Sequence, residues 1–506
     1  MAESLLAIDL GTSACKTVLF EPDGSIVASA TAEYPIYTPH PGWAEQNPEE
    51  WWRAAVQTIH DVLEESASPP ERIAGVGLDS QSGAAVCLAQ DGQPVRPATI
   101  YIDKRSAPIC ARLAEMDLPT LLRRVNGNPL DTSLVAPRLL WLKEQEPEAY
   151  DRIAHILPGS GYLAYRLTGE LGFSISEGAF TGLFDTARGR WSPELAEAWG
   201  LGLEHFAPLR APHEVVGHVT RRAAEETGLP AGIPVVAGAM DAAASVFGMG
   251  AIRGGQAIGM LGTSFSLLVA VERPIRGSGL WIYHAAIPGL WILGGNVDAA
   301  GGALRWLRDE VAAEEREQAR REGVSPYEVM TRAAATVPPG SDGLIFLPYL
   351  AGARAPKADP HRRGVFFGLT LKHTRAHLIR AVLEGCAFGL RYNLDAVRNA
   401  GMEVDELRVC GGASASDLWV QIIADVCQVP LIRSDIMETS CLGSAMLAGM
   451  GVGLYRDAAD AVANTATQQE IIAPLPKRAK QYELLYELFR QVDEALDESF
   501  ASLSNF

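Results

Sequence analysis

The chain has 506 residues, which is too long for a single hydrophobic core, so we expect two or more domains. Hydrophobic residues make up 48% of it and charged residues 21%, a composition typical of an ordinary globular protein. The formal net charge of −18 argues against a general nucleic-acid binder, because no basic excess is available to neutralise phosphates.

Cysteine usage and apolar runs indicate the compartment. The seven cysteines form no Cys-x-x-Cys pair, which favours free thiols in a reducing compartment over a zinc site. No basic region precedes the first apolar residues, so we expect no signal peptide. The uncharged stretches 254–271 and 277–297 are interrupted by turn-forming residues and indicate strands rather than membrane spans. We therefore expect a cytoplasmic protein that binds neither nucleic acid nor a membrane.

The first predicted elements are two strands, residues 5–10 and 14–20, which flank the turn Gly11-Thr12-Ser13. Glycine lets a ligand approach the main chain, and the two hydroxyls add donors to the backbone amides, so the turn can cradle phosphates. Asp9 ends the first strand, where it could hold a hydrated Mg²⁺, and Lys16 follows on the second strand. By itself the pattern is also that of an ordinary hairpin with solvated polar residues.

A third strand, a helix and two polar segments follow. Residues 25–30 complete an antiparallel meander, which disfavours a plain dinucleotide-binding fold at this end of the chain. Asn47 is the expected N-cap of a helix that begins at Pro48. Two further strands enclose the polar loop 79–83, and a second polar group, Asp103-Lys104-Arg105, follows a short strand.

The middle of the chain contains a repeat. Helices are predicted at 134–146 and 161–167, and a buried strand at 233–238 leads into a helix near Asp241. Residues 256–271 then repeat the opening pattern, with Leu261-Gly262-Thr263-Ser264 between apolar runs. Two such turns in matching contexts predict two similarly built domains that face one ligand. We place these domains at 1–250 and 251–506.

The second half is expected to continue the same scheme, with helices at 300–310, 375–400 and 477–496. Gly411-Gly412 leads through Ser416 into another helix. Small residues before a helix N-terminus favour a phosphate or nucleotide. A glycine-rich connection between a strand and a helix explains the same pattern at least as well.

These motifs together resemble a known superfamily. Asp9-Leu10-Gly11-Thr12-Ser13, Gly262-Thr263-Ser264, Gly411-Gly412 and an aspartate that opens a helix are similar to motifs of sugar kinases, heat-shock chaperones and actin. The stretches 41–52, 347–356 and 364–369 resemble the xylulokinase branch of the FGGY carbohydrate kinases. The motifs cover nearly the whole chain in the family's order. The resemblance implies an α/β fold of two ribonuclease-H-like (actin-like ATPase) domains with an ATP and sugar cleft between them.

The resemblance also implies ATP-dependent transfer of a phosphoryl group to a sugar hydroxyl. Asp241 matches the family's catalytic base, with a plain helix N-cap carboxylate as the alternative, and Asp9 matches the residue that places Mg²⁺, through water. The positions that match ATP-binding residues are Gly11, Thr12, Ser13, Lys16, Gly262, Thr263, Gly301, Arg305, Gly411, Gly412 and Ser416. The positions expected to contact the sugar are Gln81, Ser82, Asp103, Arg105 and Asp241.

The predicted sugar site departs from the family's pattern. Xylulokinases typically carry Gln-Met-His-Gly where this chain has Gln81-Ser82-Gly83-Ala84, and the usual Asp-Asn at the base is Asp241-Ala242. A site built to bond a hydroxyl discriminates against substrates that leave its polar groups unpaired, so these changes should alter the accepted sugar. D-xylulose is the default substrate, with ribulose, erythritol, glycerol or gluconate as alternatives.

Two functions other than catalysis are alternatives for this sequence. A non-catalytic, nucleotide-dependent regulatory protein could use the same fold, although such a protein need not keep Asp9, Asp241 and both turns. A sugar-responsive transcription factor would need a helix-turn-helix and a basic face, and we find neither in the sequence. The expected partner is a small sugar, and a homodimer is an open possibility.

Overall fold

The computed structural model describes residues 3–434, 438–465 and 469–503. Two seven-stranded mixed sheets, one from each half of the chain, form its frame. No helix within these three ranges is long and apolar enough to cross a membrane.

The strands of the first half are β1 (Ser4–Leu10), β2 (Ala14–Phe20), β3 (Ile26–Glu33), β4 (Glu45–Gln46), β5 (Ile73–Ser80), β6 (Val86–Leu88), β7 (Ala98–Thr99), β8 (His155–Leu157), β9 (Phe173–Ser174), β10 (Phe184–Asp185), β11 (Arg190–Trp191), β12 (Leu209–Arg210), β13 (Val215–His218), β14 (Pro234–Val236) and β15 (Ala239–Met240). Its α-helices are α1 (Pro48–Ser66), α2 (Ala107–Ala114), α3 (Leu118–Val125), α4 (Val135–Gln145), α5 (Pro147–Tyr150), α6 (Gly159–Thr168), α7 (Pro193–Trp199), α8 (Arg221–Thr227) and α9 (Asp241–Gly248).

The strands of the second half are β16 (Gln256–Leu261), β17 (Phe265–Val271), β18 (Trp281–His284), β19 (Trp291–Val297), β20 (Ile345–Leu347), β21 (Val365–Phe367), β22 (Glu406–Cys410), β23 (Leu431–Ser434) and β24 (Gln469–Ile472). Its α-helices are α10 (Ala300–Glu310), α11 (Ala313–Glu322), α12 (Pro326–Ala335), α13 (Arg375–Asn399), α14 (Asp417–Cys427), α15 (Thr439–Gly451), α16 (Ala458–Asn464), α17 (Pro476–Ala495) and α18 (Asp497–Leu503). Short 3₁₀ turns lie at Pro70–Arg72, Ile175–Thr181, Ser341–Gly343 and Gly412–Ala415.

In the first sheet the strands lie in the order β13-β14-β5-β1-β2-β3, and β15 also pairs with β5. β1, β2 and β3 form the predicted antiparallel meander, whereas β5 runs parallel to β1. The register places Asp9 beside Asp79 and Met240 beside Ser80. The ends of β1, β5 and β15 therefore meet at one edge of the sheet, and Asp241 follows there.

The second sheet repeats this order. β19, β17 and β16 are antiparallel neighbours, β22 runs parallel to β16, β23 runs parallel to β22, and β24 is antiparallel to β23. Their counterparts in the first sheet are β3, β2, β1, β5, β14 and β13. The sequence repeat at Gly262-Thr263-Ser264 is therefore also a repeat of topology, with the hairpin β16–β17 in place of β1–β2.

Local sequence signals explain where two long helices begin. Asn47 Oδ1 accepts a hydrogen bond from the Glu49 amide at 3.0 Å, and Pro48 occupies the first position of α1, as predicted. α13 begins after Thr374, whose amide donates to Nδ1 of His377 at 3.2 Å. These caps satisfy amide groups that the first helical turn leaves without intrahelical partners.

The two halves share a hydrophobic core through α15. A third apolar cluster, beside the core of each half, contains Leu442 and Met446 of α15 together with residues of both sheets. A Cβ atom at Gly77 of β5 would lie only 1.9 Å from the carbonyl oxygen of Ser444. A Cβ atom at Gly248 of α9 would lie 2.0 Å from the carbonyl oxygen of Thr439. Glycine thus allows α15, from the second half, to pack backbone to backbone against the first.

Candidate active site

The Asp241 carboxyl group stands at the N-terminus of α9, where its Oδ1 accepts a hydrogen bond from the Ala242 amide at 2.6 Å. Burial raises the pKa of Asp241 to about 7, and the nearby Asp9 carboxylate adds to this shift. The side chain nevertheless keeps partial exposure, so a ligand can reach it. A carboxylate with a pKa near neutrality can accept a proton from a hydroxyl group and release it again.

Asp9 and Asp79 lie side by side in the parallel ladder of β1 and β5, and α15 contacts both. Asp9 Oδ2 accepts a hydrogen bond from Ser440 Oγ at 3.0 Å, and Asp79 Oδ2 accepts one from Ser444 Oγ at 2.7 Å. Burial raises the pKa of both aspartates, and that of Asp79 rises well above its ordinary value. The two carboxyl groups also interact directly with each other, and the Oδ1 atom of each is buried without a donor among the described residues.

The Asp9 carboxylate, which keeps partial exposure, is the group suited to a hydrated magnesium ion. Carboxylate oxygen is a ligand that Mg²⁺ prefers, and the ion commonly takes only one or two carboxylates together with phosphate and water. Among the described residues, no group of three or more His, Cys, Asp or Glu side chains could hold a metal ion. A Mg²⁺ ion at Asp9 would therefore need nucleotide phosphates and water to complete its shell.

Glu177 adds a fourth carboxyl group, which the sequence prediction missed. Its Oε1 accepts hydrogen bonds from Ser160 Oγ at 2.8 Å and Ser80 Oγ at 3.2 Å. Its Oε2 is buried and has no hydrogen-bond partner in the described part of the chain. Burial raises the pKa of Glu177 to about 8, and repulsion from Asp241 contributes. Glu177 is therefore largely protonated at neutral pH.

The first Gly-Thr-Ser turn leaves its central amides available. The Gly11 amide closes the turn by donating to the Ala14 carbonyl at 3.0 Å, and the Tyr34 amide donates to the Ser13 carbonyl at 3.1 Å. Within the described residues, no protein acceptor takes the amide hydrogens of Thr12 or Ser13. Backbone amides in such a turn can bind phosphate oxygens.

Lys16 lies next to Asp9 across the hairpin, because the two residues are partners in the ladder of β1 and β2. Its Nζ contacts Glu438 Oε2 at 2.7 Å and Oε1 at 2.8 Å. Lys16 keeps 32% of its side-chain surface exposed, and Glu438 keeps 25%. The Lys16 side chain therefore stays partly accessible while it is ion-paired.

The second Gly-Thr-Ser turn is joined to α10. The Gly302 amide donates to the Thr263 carbonyl at 2.8 Å, and Arg305 Nη2 donates to Thr263 Oγ1 at 2.6 Å. A Cβ atom at Gly301 would lie 2.2 Å from the carbonyl oxygen of Gly262, so no larger residue fits at this approach. α10 thus starts directly against the turn and brings Arg305 to it.

A cavity of about 590 Å³ opens beside the second turn, a volume typical of small-molecule sites. Its lining includes six residues predicted to bind ATP: Gly262, Thr263, Gly301, Arg305, Gly412 and Ser416. The lining also includes residues that the sequence prediction missed, among them Leu304, Tyr327 and Trp419. Gly411 lies at the end of β22 with φ of 97°, and a Cβ atom there would approach the Leu261 carbonyl oxygen to 2.9 Å.

The predicted sugar loop follows β5 and is held by Arg138. Gln81 is buried, whereas Ser82 is partly exposed. The buried Arg138 guanidinium donates to the Gly83 carbonyl and, at 2.9 Å, to the Ser133 carbonyl. Burial lowers the pKa of Arg138 to about 10, so the group is still charged at neutral pH. The loop therefore has a fixed backbone rather than a loose one.

Asp103 and Arg105 bind each other. Arg105 Nη2 contacts Asp103 Oδ2 at 2.8 Å and Glu45 Oε1 at 2.7 Å, and the guanidinium carbon lies 3.9 Å from the centre of the Trp43 ring. Two backbone amides also donate to Asp103, that of Ala44 to Oδ2 at 2.6 Å and that of Arg105 to Oδ1 at 3.0 Å. Nη1 is buried and is the one guanidinium nitrogen of Arg105 that lacks a partner in the described ranges.

Asp79 and Glu177, which the sequence prediction missed, differ in whether a sequence pattern could have identified them. Asp79 opens the predicted polar loop directly after a buried strand, so a parallel pairing with β1 would have placed it beside Asp9. Glu177 lies in a segment, Ile175-Ser176-Glu177-Gly178, that reads as an ordinary turn. Its burial depends on packing against residues that are distant in sequence, and no local pattern signals it.

Comparison with known proteins identifies the family. Residues 4–248 match the model of the N-terminal domain of the FGGY family of carbohydrate kinases, and residues 257–452 match the model of its C-terminal domain. A gluconokinase of Bacillus subtilis is 30% identical over 509 residues, covering 100% of this chain and 98% of that protein. A xylulose kinase of Escherichia coli is 31% identical and covers 97% of this chain and 99% of its own length.

Solved structures agree with these matches. The crystal structure of xylulose kinase from Rhodospirillum rubrum is 30% identical to this chain, with a TM-score of 0.92. The similarity covers 99% of this chain and 100% of that one. It confirms the predicted α/β fold of two ribonuclease-H-like, actin-like ATPase domains. The chain belongs to the FGGY family of carbohydrate kinases, and it is a sugar kinase with ATP as its phosphate donor.

Proposed function

We propose that this kinase transfers the γ-phosphate of ATP to a hydroxyl group of a ketopentose, with D-xylulose as the first candidate. The main support is Asp241, which follows β15 at the edge of the first sheet where Asp9 also lies, and whose pKa is raised in part by the Asp9 charge. With a pKa of about 7, Asp241 can take the hydroxyl proton as the sugar oxygen attacks phosphorus.

The two Gly-Thr-Ser turns would hold the nucleotide phosphates. The amides of Thr12 and Ser13, together with Lys16, are suited to one side of the triphosphate, and the Thr263 turn with Arg305 is suited to the other. Gly11 and Gly262 would add their turns' main chain to the phosphate site, and Gly301 allows α10 to approach the Gly262 carbonyl closely. Gly411, Gly412 and Ser416 would border the nucleoside, and Gly412 and Ser416 line the cavity. Mg²⁺ bound at Asp9 would offset phosphate charge.

The sugar would lie between the 79–83 loop and Asp241. Gln81 and Ser82 are the proposed polar contacts from the loop, and Nη1 is the atom through which the Asp103–Arg105 pair could bond a hydroxyl. The relatives named above include both a xylulose kinase and a gluconokinase. Because the histidine of the usual loop is absent at Gly83, another ketose, a polyol or a sugar acid is the alternative substrate.

The test is ADP release over a panel of D-xylulose, D- and L-ribulose, erythritol, glycerol and gluconate, with ATP and Mg²⁺. We expect one ketopentose to give the highest kcat/KM, and Asp241→Ala to lower kcat by about 10²–10⁴-fold, as loss of a general base does. Asp61→Ala, at an exposed position of α1, is the matched control. If Asp241→Ala turned over at the wild-type rate, Asp241 would not be the general base. If the enzyme preferred gluconate, the proposal of a ketopentose substrate would be wrong.

A further inference from the structure

A relay of side-chain amides connects the first phosphate turn to the sugar loop. Gln46 Nε2 donates a hydrogen bond to the Thr12 carbonyl at 2.7 Å. Gln46 Oε1 accepts a hydrogen bond from Gln81 Nε2 at 2.8 Å. Both glutamine side chains are buried, each with 1% of its surface exposed. Gln46 lies outside both the turn and the loop, in the family-like stretch 41–52, and none of the site roles that the resemblance implies falls on it.

The chemistry of the relay fixes which way each amide faces. A backbone carbonyl can only accept, so Gln46 must present its NH₂ group to Thr12 and its oxygen to Gln81. Gln81 must then present its NH₂ group to Gln46. This leaves Gln81 Oε1 on the other side, and that oxygen is buried with no hydrogen-bond partner in the described part of the chain. A buried acceptor of this kind requires a donor.

The backbone around Gln46 gives the relay little freedom to turn. β4 pairs with β7, where Gln46 lies opposite Ala98, and Asn47 then caps α1. At the far end, the Gln81 amide donates to the Leu10 carbonyl at 2.9 Å, just before the phosphate turn. Gln81 is thus tied to the first hairpin by its main chain and by its side chain.

We propose that Gln46 is a positioning residue for phosphoryl transfer, which orients the Gln81 amide so that Oε1 accepts a hydrogen bond from a substrate hydroxyl. The same residue links the sugar loop to the turn that is proposed to bind phosphate. This inference rests on the proposed function, because that function puts the sugar at the 79–83 loop. Gln46 touches neither ligand and acts through Gln81 and Thr12.

The first test replaces Gln46 with methionine, which has a similar length and no amide. Without Gln46, the Gln81 amide can rotate and offer its NH₂ group in place of Oε1. We expect the KM for the best sugar of the panel to rise about tenfold, the effect of one lost hydrogen bond to a buried group, with a smaller change in kcat. An unchanged sugar KM would overturn the proposal.

The second test is a double-mutant cycle, which separates positioning from general loosening of the fold. If Gln46 acts through Gln81, then adding Gln46→Met to Gln81→Met should raise the sugar KM by less than about twofold, because coupled residues are not additive. If the sugar KM of the double variant rose by the product of the two single fold-changes, Gln46 would act independently of Gln81, which contradicts the proposal.

Calorimetry tests the link to the phosphate turn. The sugar dissociation constant is measured with and without a non-hydrolysable ATP analogue, and the ratio of the two values is the coupling between the sites. We expect wild-type protein to bind sugar more tightly with the analogue, and Gln46→Met to bring the ratio closer to one. An equal ratio in both proteins would refute the link.

Two controls keep these results interpretable. Gln57→Met, at an exposed position of α1, should leave every value at the wild-type level. If Gln46→Met does not fold, Gln46→Asn replaces it, since asparagine keeps an amide but is one methylene too short to reach both partners. A wild-type protein that phosphorylates no sugar of the panel would refute the proposed function instead, and calorimetry with each sugar would then test Gln46 separately.

Discussion

Ser440 donates its hydroxyl hydrogen to Asp9 Oδ2 at 3.0 Å, across 431 positions of the sequence. Ser440 is the second residue of α15, a helix from the second half that lies against the first sheet. Asp9 Oδ1 has no donor in the described ranges, and the Asp79 carboxyl group lies beside Asp9 on the neighbouring strand. The carboxylate proposed to hold Mg²⁺ is therefore oriented by a helix from the other half of the chain.

Removing this hydroxyl should weaken magnesium activation. In Ser440→Ala, Asp9 loses the bond that fixes its orientation, and outer-sphere partners of this kind alter metal affinity by about 10-fold or more. We expect the free Mg²⁺ concentration for half-maximal activity to rise by about that factor, while the maximal rate at saturating Mg²⁺ changes less. Ser29→Ala, on an exposed position of β3, is the control. Identical Mg²⁺ curves for Ser440→Ala and wild type would contradict the role given to Asp9.

Two adjacent glycines of α10 make a matched pair for the second phosphate turn. A Cβ atom at Gly301 would lie 2.2 Å from the Gly262 carbonyl oxygen, whereas at Gly302 its nearest neighbour would be 3.5 Å away. Gly301→Ala must push α10 away from the turn, so we expect its KM for ATP to rise about tenfold or more. Gly302→Ala should stay within about twofold of wild type, because its new methyl group makes only ordinary contacts. Steady-state kinetics with ATP varied checks both, and equal effects would argue against close packing here.

Because Lys16 and Glu438 form an ion pair, we expect replacements of the two residues to change ATP affinity in opposite directions. Lys16→Met removes a cation from the proposed phosphate site, so the dissociation constant for ATP should rise. Glu438→Gln removes the carboxylate that competes for Lys16, so the dissociation constant should fall. Because partly exposed ion pairs contribute only about 0.2–1 kcal/mol, we expect a change of about two- to fivefold for Glu438→Gln. Calorimetry without sugar measures both, and weaker ATP binding by Glu438→Gln would show that the pair supports the site instead.

Glu177 predicts how stability depends on pH. Burial raises the pKa of this carboxyl group from 4.5 to about 8, so the folded protein keeps a proton that the unfolded chain releases. The resulting contribution to stability is fully present below about pH 4.5 and is lost as the pH rises to about 8. Glu177→Gln does not ionise, and its melting temperature should exceed that of wild type by roughly 2 °C or more at pH 8.5.

The difference between Glu177→Gln and wild type should shrink as the pH falls toward 5. Glu64→Gln, at an exposed position of α1, should show no such trend. Thermal unfolding followed by calorimetry at both pH values gives the comparison. A constant difference between Glu177→Gln and wild type across this range would mean that Glu177 does not carry the buried proton.

Much of the fold was predictable because its signals are local. The hairpin around Gly11-Thr12-Ser13, the cap at Asn47 and the start of α13 after Thr374 depend on residues within a few positions of one another. The position of α15 was not predictable in this way. Asp9 precedes its partner Ser440 by 431 positions, and Asp79 precedes its partner Ser444 by 365. No periodicity in the helix itself indicates which sheet it covers.

The site shows the same division. Asp241 and Asp9 were predictable from short motifs, because each motif sets one backbone conformation and one residue type. The sequence assigned no role to Gln46, whose importance depends on two hydrogen bonds to segments on either side of it in the fold. From the sequence, Asp103 and Arg105 are expected to contact the sugar, and this stays a prediction. The structure adds that the two side chains are buried and bond each other.

The position of α15 bears on whether the chain can be divided. A fragment ending at residue 250 would contain the first sheet and α9 but would lack the helix that covers Gly77 and joins the third apolar cluster. Its uncovered apolar surface would favour aggregation. A fragment of residues 251–506 would carry α15 with its apolar side uncovered. We expect the two fragments to be unstable when expressed apart and to assemble when expressed together, which would make the predicted domains 1–250 and 251–506 one folding unit.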